Sequence, residues 1–349
     1  MITLTEAQFS AAFADALPGP ALVVDAALRL IAFNPPALAV LPALALGLHL
    51  VHGLRAPDVL DAVRRVAAGA PAETVRWHER MPVERAFEVH CAALKAPGQG
   101  PRTVVLSLTD LTEALRVEQL RSGFIANASH ELRTPLASLL GFVETLQGAA
   151  RDDPKARENF LGVMRAQGQR MARLIDDLLS LSRIEQKEHV PPSDAIDLVN
   201  IVRHVADTLT HLVRDSGLAL RIDTPAPVVV TGDRDELLRV IENLIENALK
   251  YGAHLERADA NTVDITVGVT GRQGFVSVRD HGAGIDEHHL PRLTERFYRV
   301  DAGSSRAKGG TGLGLAIVKH TLARHRGRLD IRSQAGEGAT FTAYIPLER

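Results

Sequence analysis

The sequence has 349 residues, 46% of them hydrophobic, so it holds enough apolar material for two or three domains with buried cores. Its formal net charge of -2 argues against nonspecific nucleic-acid binding, which needs a basic excess. Cys91 is the one cysteine, which excludes an intramolecular disulfide and a cysteine-based metal cluster and fits a reducing compartment.

A stretch without Asp, Glu, Lys or Arg separates Arg29 from Arg55. A membrane-spanning helix needs about 20 consecutive apolar residues, and this stretch is interrupted by Asn34, Pro35, Pro36, Pro42, His49 and His52. We therefore predict a buried globular segment here and no membrane span. The chain is expected to be cytoplasmic, with membrane association only through partners or as a fragment of an anchored receptor.

Residues 1–108 carry short apolar runs that are typical of strands, at 21–24, 28–33, 87–90 and 103–108. Breaks that contain proline or glycine, at 34–36 and 96–98, are expected to close these strand-like runs. The region is predicted to be a small α+β module.

Residues 109–188 are predicted to form two long helices. Apolar side chains recur at heptad-like spacings on both, namely Leu132, Leu136, Leu139, Val143 and Leu146, then Met164, Met171, Leu174, Leu178 and Leu181. Gly148 can end the first helix, and Asp152 or Asp153 can cap a second helix that begins at Pro154. One hairpin buries these stripes poorly, so two hairpins are expected to form a dimeric four-helix bundle.

The first long helix carries a histidine with reactive neighbours. His130 lies about 160° around the helix from the core-facing Leu132, so it is expected to face solvent. A neutral imidazole can act as a nucleophile, and Glu131 can accept the proton from its other ring nitrogen. Thr134 follows on the same face, and Pro135 is expected to kink the helix. Taken alone, the same set also fits a solvated helix face without chemistry.

Residues 189–349 alternate helical and strand patterns, which predicts an α/β sandwich. Helices are expected at 197–213, 234–250 and 312–325, and strands at 218–223, 263–269, 274–279, 328–333 and 339–345.

Two motifs in this third region can contact a nucleotide. Asn243 and Asn247 lie on one helix face, where an amide oxygen can serve as a ligand to Mg²⁺. Asp280 can accept a hydrogen bond from the amine of adenine, and Gly282 and Gly284 permit a close approach of the backbone. Each motif alone also has an ordinary explanation, as a polar helix face or as a turn.

Two further motifs follow along the chain. Residues 295–301 (ERFYRVD) are either a ligand contact or an aromatic helix end packed on the core. Residues 309–317 (GGTGLGLAI) open an apolar helix with glycines whose N–H groups can meet phosphates. They are neither a Walker loop nor a dinucleotide fingerprint, because no Lys-Ser/Thr pair follows and no strand leads into them. The loop 302–310 is predicted to close over nucleotide as a lid.

From about Leu111 to the C-terminus, these motifs in this order resemble the sensor histidine kinases of two-component systems. The phosphoacceptor box corresponds to residues 129–136 (SHELRTPL). Residues 141–146 (GFVETL) and 175–185 (IDDLLSLSRIE) resemble the phosphate-regulon sensor kinase subgroup. That subgroup commonly carries a membrane anchor, which this chain is not expected to have, so the sensing of phosphate status stays open.

The flanking regions resemble the other domains of that family. The first region resembles a PAS domain on weaker motifs, at 22–25 (LVVD) and 33–35 (FNP). The third resembles the ATP-binding domain that histidine kinases share with Hsp90-type chaperones, type II topoisomerases and MutL proteins. The expected domains are therefore a PAS-like sensor module at 1–108, dimerisation and phosphotransfer helices at 109–188, and an ATP-binding catalytic domain at 189–349.

The resemblance also implies a role for individual residues. Asn247 would ligate Mg²⁺. The phosphates would be contacted or bordered by Asn243, Lys250, Gly310, Gly312, Gly314 and Arg299. The adenine and its pocket would be formed by Tyr251, Asp280, Gly282 and Gly284.

The implied function is autophosphorylation of His130 from Mg-ATP, followed by transfer to an aspartate of a response regulator. Residues 131–134 resemble the Glu-x-x-Thr arrangement that these kinases use to dephosphorylate the regulator, although Thr134 can instead bond the carbonyl one turn back. The competing interpretations are a dimeric regulator-binding scaffold without ATP turnover and a chaperone-type ATPase. Of these two, only the chaperone-type ATPase would lack a phosphoacceptor helix. The ligand of the PAS-like module, the regulator and the choice between cis and trans autophosphorylation stay open.

Overall fold

In the computed structural model the chain forms two compact units, Met1–Ile125 and Ala126–Arg349. The structure describes residues 6–79, 85–94, 103–187, 189–224, 226–252, 261–301 and 310–348. The break predicted at 96–98 and, except for Gly310, the lid predicted at 302–310 lie outside these residues. Within the described ranges, no helix combines the length and the apolar character that crossing a membrane requires.

The first unit is the predicted α+β module. It contains α1 (Glu6–Asp15), β1 (Ala21–Val24), β2 (Leu30–Phe33), α2 (Pro35–Val40), α3 (Pro57–Ala67), β3 (Glu73–Glu79), β4 (Arg85–Leu94) and β5 (Thr103–Asp110). The five strands form an antiparallel sheet in the order β2-β1-β5-β4-β3. Trp77 stacks on Phe87 in its core, and burial raises the pKa of the nearby Cys91 thiol to about 12.

Asn34 explains how β2 gives way to α2. Its side-chain oxygen accepts hydrogen bonds of 3.0 Å from the backbone N–H groups of Ala21 and Ala37. Asn34 is therefore the N-cap of α2, and Pro35 stands at the first helical position. The prediction that residues 34–36 close a strand is confirmed, because β2 ends at Phe33. The same residues begin a helix, since proline is well tolerated where no intrahelical N–H bond is made.

A helical hairpin links the first region to the third. It consists of α4 (Thr112–Gln147), which continues through Pro135, and α5 (Pro154–Gln186). Asp153 caps α5 by accepting hydrogen bonds of 3.0 Å from two backbone N–H groups, and Pro154 is the first residue, as the sequence predicts. Some apolar side chains of the hairpin are buried, namely Leu174, Leu181 and Ile184, whereas others are exposed in the single chain, namely Leu136, Leu140, Leu161, Val163, Ile175 and Leu179.

The rest of the second unit is the predicted α/β sandwich. It contains β6 (Asp194–Asp197), α6 (Leu198–Thr208), α7 (Thr210–Ser216), β7 (Ala219–Asp223), β8 (Val229–Gly232), α8 (Arg234–Tyr251), β9 (Thr262–Thr270), β10 (Gln273–Asp280), α9 (Gly314–Arg324), β11 (Arg328–Ser333) and β12 (Ala339–Pro346). The main sheet has the order β11-β12-β10-β9-β7, in which only β7 and β9 are parallel. Helix α8 packs on β9 and β10 and contacts α6 and α9.

The single helix predicted at 197–213 is instead two helices, α6 and α7, which meet at Leu209. The hydroxyl of Thr208 donates to the carbonyl oxygen of His204, and that of Thr210 donates to the carbonyl oxygen of Asp207. Such back-bonding favours bends in helices. Apolar periodicity alone does not reveal this break.

Candidate functional site

A cavity of about 720 Å³ lies in the second unit, against α8, the segment that opens α9, and α5. Residues from all four predicted motifs line it, namely Asn243, Asn247, Lys250, Tyr251, Asp280, Gly284, Arg299, Gly310, Gly312 and Gly314. Motifs that are far apart in the sequence therefore meet around one space. Gly282 does not line the cavity, but its backbone N–H donates a hydrogen bond to the carboxylate of Asp280, which does.

Asp280 ends β10 with its side chain almost fully buried. Its Oδ1 accepts hydrogen bonds from the backbone N–H groups of Gly282 at 3.0 Å and Ala339 at 3.3 Å. Burial raises the pKa of Asp280, and these two backbone hydrogen bonds oppose that shift. Both bonds end on Oδ1, so Oδ2 is the atom that can accept a hydrogen bond from a ligand.

Three glycines permit the close approaches that shape the cavity. A side chain at Gly282 would overlap the backbone oxygen of Tyr251, and a side chain at Gly314 would overlap the amide oxygen of Asn243. Gly284 has a φ of +68°, a conformation that glycine adopts readily. Phe297 also has a positive φ, and its N–H donates to the carbonyl oxygen of Gly312 at 2.8 Å. Residues 295–301 are therefore a turn against residues 310–314, the glycine segment, and not the end of a helix.

The polar face of α8 borders the cavity opposite the glycine segment. The amide nitrogen of Asn243 donates to the carbonyl oxygen of Arg239 at 2.8 Å, and Lys250 forms an ion pair with Glu246. The described residues hold no group of three or more His, Cys, Asp or Glu that would bind a metal. The amide oxygen of Asn247 fits a hard cation such as Mg²⁺ only if phosphate oxygens and water complete the coordination.

Helix α5 of the hairpin also lines the cavity, through Arg173, Asp176 and Asp177. The carboxylate of Asp177 accepts hydrogen bonds from Arg239 at 3.1 Å and from the hydroxyl of Thr311 at 2.8 Å. The same α5 is therefore bonded to α8 and to the glycine segment.

The segment around His130 lies outside the cavity but is connected to it. His130 is exposed on α4, as predicted. The carboxylate of Glu131 accepts hydrogen bonds from Arg170 at 2.9 Å and from Arg299 at 3.1 Å. Arg299 is 7% exposed and lines the cavity, so one guanidinium contacts both the segment around His130 and the cavity.

Thr134 makes the hydrogen bond that is expected if its role is structural, a bond to the carbonyl oxygen one turn back. Its hydroxyl donates to the backbone carbonyl oxygen of His130 at 3.2 Å, and the residue is exposed. The bond does not decide between the two interpretations, because the exposed hydroxyl oxygen can still accept a hydrogen bond from water.

The residues of the site that the sequence analysis missed fall into two groups. Thr311 stands inside the glycine run, and Arg239 precedes Asn243 by one helical turn, so both had a local signal. Asp177 and Arg170 had none, because their partners lie on other elements and only the folded chain brings them together.

Comparison with protein families identifies all three regions. Residues 232–349 match the family described as "Histidine kinase-, DNA gyrase B-, and HSP90-like ATPase", which implies ATP binding. Residues 120–187 match the "His Kinase A (phospho-acceptor) domain", and residues 14–116 match the "PAS fold".

Two curated proteins show the extent of the similarity. The sensor-like histidine kinase SenX3 of Mycolicibacterium smegmatis is 38% identical over 247 residues, which are 70% of this chain and 62% of that protein. The phosphate regulon sensor protein PhoR of Pseudomonas aeruginosa is 38% identical over 246 residues, which are 70% of this chain and 54% of that protein. The chain thus spans less than two thirds of the length of either relative.

Solved structures show the same fold. The histidine kinase AdeS of Acinetobacter baumannii superposes with a TM-score of 0.50 at 25% identity, over 63% of this chain and 98% of that one. The histidine kinase ThkA, solved in complex with the response regulator protein TrrA, has a TM-score of 0.50 over 98% of each chain, and at 18% identity it shows the fold alone.

Proposed function

We propose that this chain binds ATP in the cavity, phosphorylates its own His130, and passes the phosphoryl group to an aspartate of a response regulator. The chain belongs to the sensor histidine kinases. The observation that carries this proposal is Arg299. It lines the cavity and holds the carboxylate of Glu131, the neighbour of His130, at 3.1 Å. A scaffold that no longer turned over ATP would not need this connection.

The nucleotide would lie along the cavity with its adenine at the end of β10. There Oδ2 of Asp280 would accept a hydrogen bond from the exocyclic amine, with Tyr251 beside the ring and Gly282 and Gly284 shaping the pocket. The triphosphate would extend toward α8 and the glycine segment, where the contacts would be Asn243, Lys250, Gly310, Gly312 and Gly314. Bound Mg²⁺, held in part by Asn247, would neutralise phosphate charge.

The transfer step needs an accessible imidazole and a proton acceptor. The exposed ring of His130 attacks the γ-phosphorus, an N–P bond forms, and the bond to the β–γ bridging oxygen breaks as ADP leaves. The ring proton passes to Glu131. Because Arg170 and Arg299 hold that carboxylate here, Arg299 is expected to move from Glu131 to the γ-phosphate before transfer.

The remaining assignments extend this cycle to the whole chain. We assign residues 1–108 to a PAS-like sensor module, 109–188 to dimerisation and phosphotransfer, and 189–349 to catalysis. The exposed apolar side chains of the hairpin favour a homodimer, whose exposed His130 would meet the regulator. Regulator phosphatase activity is part of the proposal and rests on Thr134.

The test is incorporation of labelled γ-phosphate by the purified chain. His130→Gln should abolish acid-labile labelling and leave ATP binding nearly intact, because His130 does not line the cavity. Asn247→Asp should also abolish labelling, since it places a carboxylate next to the phosphates. His204→Gln is the matched control, because His204 is an exposed histidine on another helix, α6. Undiminished labelling of His130→Gln would contradict the proposal, and an unlabelled wild-type chain that still bound a regulator would favour the scaffold.

A further inference from the structure

One face of α5 runs from the phosphoacceptor segment to the nucleotide cavity. Arg170, Arg173, Asp177 and Ser180 follow one another at spacings of three, four and three, so they share a face of the helix. At one end of this stripe, Arg170 donates to Glu131, the neighbour of His130. At the other end, Asp177 and Ser180 accept hydrogen bonds from Arg239 of α8.

Arg173 lies between these two ends and lines the cavity. Because Asp177, one turn further along α5, is bonded to Thr311 of the glycine segment, this part of α5 faces the end of the cavity assigned to the phosphates. Because Arg170, one turn earlier, is bonded to Glu131, the same part of α5 is also close to the phosphoacceptor segment. Arg173 therefore lies on α5 between the residue that is bonded to Glu131 and the residue that is bonded to Thr311, and it faces the cavity.

The cations around the cavity differ in whether they are already paired. Among the described residues, four cations line it: Arg173, Arg239, Lys250 and Arg299. Arg239 is paired with Asp177, Lys250 with Glu246, and Arg299 with Glu131. Arg173 is exposed and, within the described part of the chain, forms no ion pair, so its guanidinium is the one available without breaking a contact.

The carboxylates of the cavity make an available cation more important. Seven Asp and Glu side chains line the cavity among the described residues, against those four cations. A triphosphate that enters this surplus of negative charge is repelled unless cations compensate for it. Burial raises the pKa of one of the carboxyl groups, Glu242, and the nearby Glu246 raises it further.

We propose that Arg173 is a catalytic residue that the hairpin contributes to the ATP site and that it binds the γ-phosphoryl group during transfer to His130. The inference rests on the proposed kinase function. The bonds that form and break are those of the transfer step above. Arg173 stays protonated, neither gives nor takes a proton, and stabilises the phosphoryl oxygens through charge-assisted hydrogen bonds.

This placement makes nucleotide binding depend on the hairpin. ADP lacks the γ-phosphoryl group, so contact with Arg173 would favour the triphosphate over the diphosphate. By thermodynamic reciprocity, ATP would then stabilise the arrangement in which α5 lies against the cavity more than ADP does.

The experiment compares full-length Arg173→Gln and Arg173→Lys with Arg165→Gln. Arg165 is an exposed arginine of the same helix that does not line the cavity, so it controls for the loss of a surface charge. Arg173→Gln should lower the autophosphorylation rate at saturating ATP by about ten- to a hundredfold, the range expected for a lost hydrogen bond to a charged group. It should also weaken binding of a non-hydrolysable ATP analogue while leaving ADP binding unchanged. Arg173→Lys should restore part of both losses.

Two results would overturn the inference. One is a rate and an analogue-to-ADP affinity ratio that match those of Arg165→Gln. The other is a lower rate with an unchanged affinity ratio, which would mean that Arg173 only positions the hairpin. A wild-type chain without any autophosphorylation would instead refute the proposed function, and the affinity ratio would still test the contact of Arg173 with the triphosphate.

Discussion

Thr134 combines a hydrogen bond within its helix with an exposed hydroxyl oxygen. Its hydroxyl hydrogen is used within α4, in the bond to the carbonyl oxygen of His130. Pro135 has no N–H to donate to the carbonyl oxygen of Glu131, so the bond of Thr134 to His130 reinforces the adjoining turn and does not replace the missing bond. The hydroxyl oxygen keeps lone pairs that can orient a water toward a phosphoaspartate on a docked regulator.

We therefore expect Thr134→Ala to keep autophosphorylation and forward transfer but to slow dephosphorylation of the regulator. Loss of one water-positioning hydrogen bond costs about 1–3 kcal/mol, or roughly one to two orders of magnitude in rate. Thr145→Ala is the control, because the hydroxyl of Thr145 makes the same kind of bond, to Gly141, at 2.8 Å on the same helix. Release of phosphate from the labelled regulator is the measurement. Unchanged dephosphorylation with a slower forward transfer would show that Thr134 is structural.

Helices α8 and α9 are coupled by a buried histidine at the end of α9. Nε2 of His325 accepts a hydrogen bond from the backbone N–H of Asp233, the N-cap of α8, at 3.0 Å. Nδ1 donates to the carbonyl oxygen of Thr321 at 2.8 Å. Both contacts are satisfied only by the neutral ring with its proton on Nδ1. The helix that carries Asn243 and Asn247 is thus anchored by an uncharged imidazole.

Burial lowers the pKa of His325, against opposing contributions from its hydrogen bond to Thr321 and from Glu236. Between this lowered value and about 6.5, the unfolded chain binds a proton that the folded chain does not. The free energy of unfolding that the neutral His325 contributes is therefore expected to be fully present above about pH 6.5 and to decrease as the pH falls through that window. Urea unfolding between pH 5 and pH 8 measures the effect. His325→Gln should be less stable at pH 8 but should depend less on pH than the wild type, whereas His211→Gln, at an exposed position, should retain the wild-type slope. Equal slopes in all three proteins would contradict this origin.

At the scale of the whole molecule, the hairpin exposes apolar side chains that a single chain does not cover. Leu136, Leu140 and Leu179 are 47%, 57% and 52% exposed. Several exposed apolar side chains on one element favour an interface, and a second hairpin would cover them as part of a four-helix bundle.

A chain that lacks residues 1–108 is therefore expected to stay dimeric, because the proposed interface lies on the hairpin. Light scattering at micromolar concentration measures the mass. Leu140→Asp should shift the full-length chain toward monomer, while Leu46→Asp, at an apolar position of the first unit that is 65% exposed, should not. A truncated chain that is monomeric at that concentration would place the dimer contacts in the first 108 residues or exclude a dimer.

Much of the secondary structure of this protein, and the exposure of His130, can be predicted from local sequence alone. The cap at Asp153, the exposure of His130 and the alternation of strands and helices beyond residue 189 depend on neighbours within a few residues, where spacing and side-chain type act directly. The predicted helix at 197–213 failed where hydroxyl groups compete for backbone carbonyls, which apolar spacing does not register.

The contacts that join the segment around His130 to the cavity could be identified only from the tertiary structure. Asp177 and Thr311 are 134 residues apart, and Glu131 and Arg299 are 168 apart. At such separations no periodicity or propensity links two residues, and an arginine with a partner has the same local sequence signal as one without. Packing of α5 in the second unit therefore decides that Arg239 and Arg299 are held by carboxylates, whereas Arg173 lines the cavity and forms no ion pair within the described part of the chain.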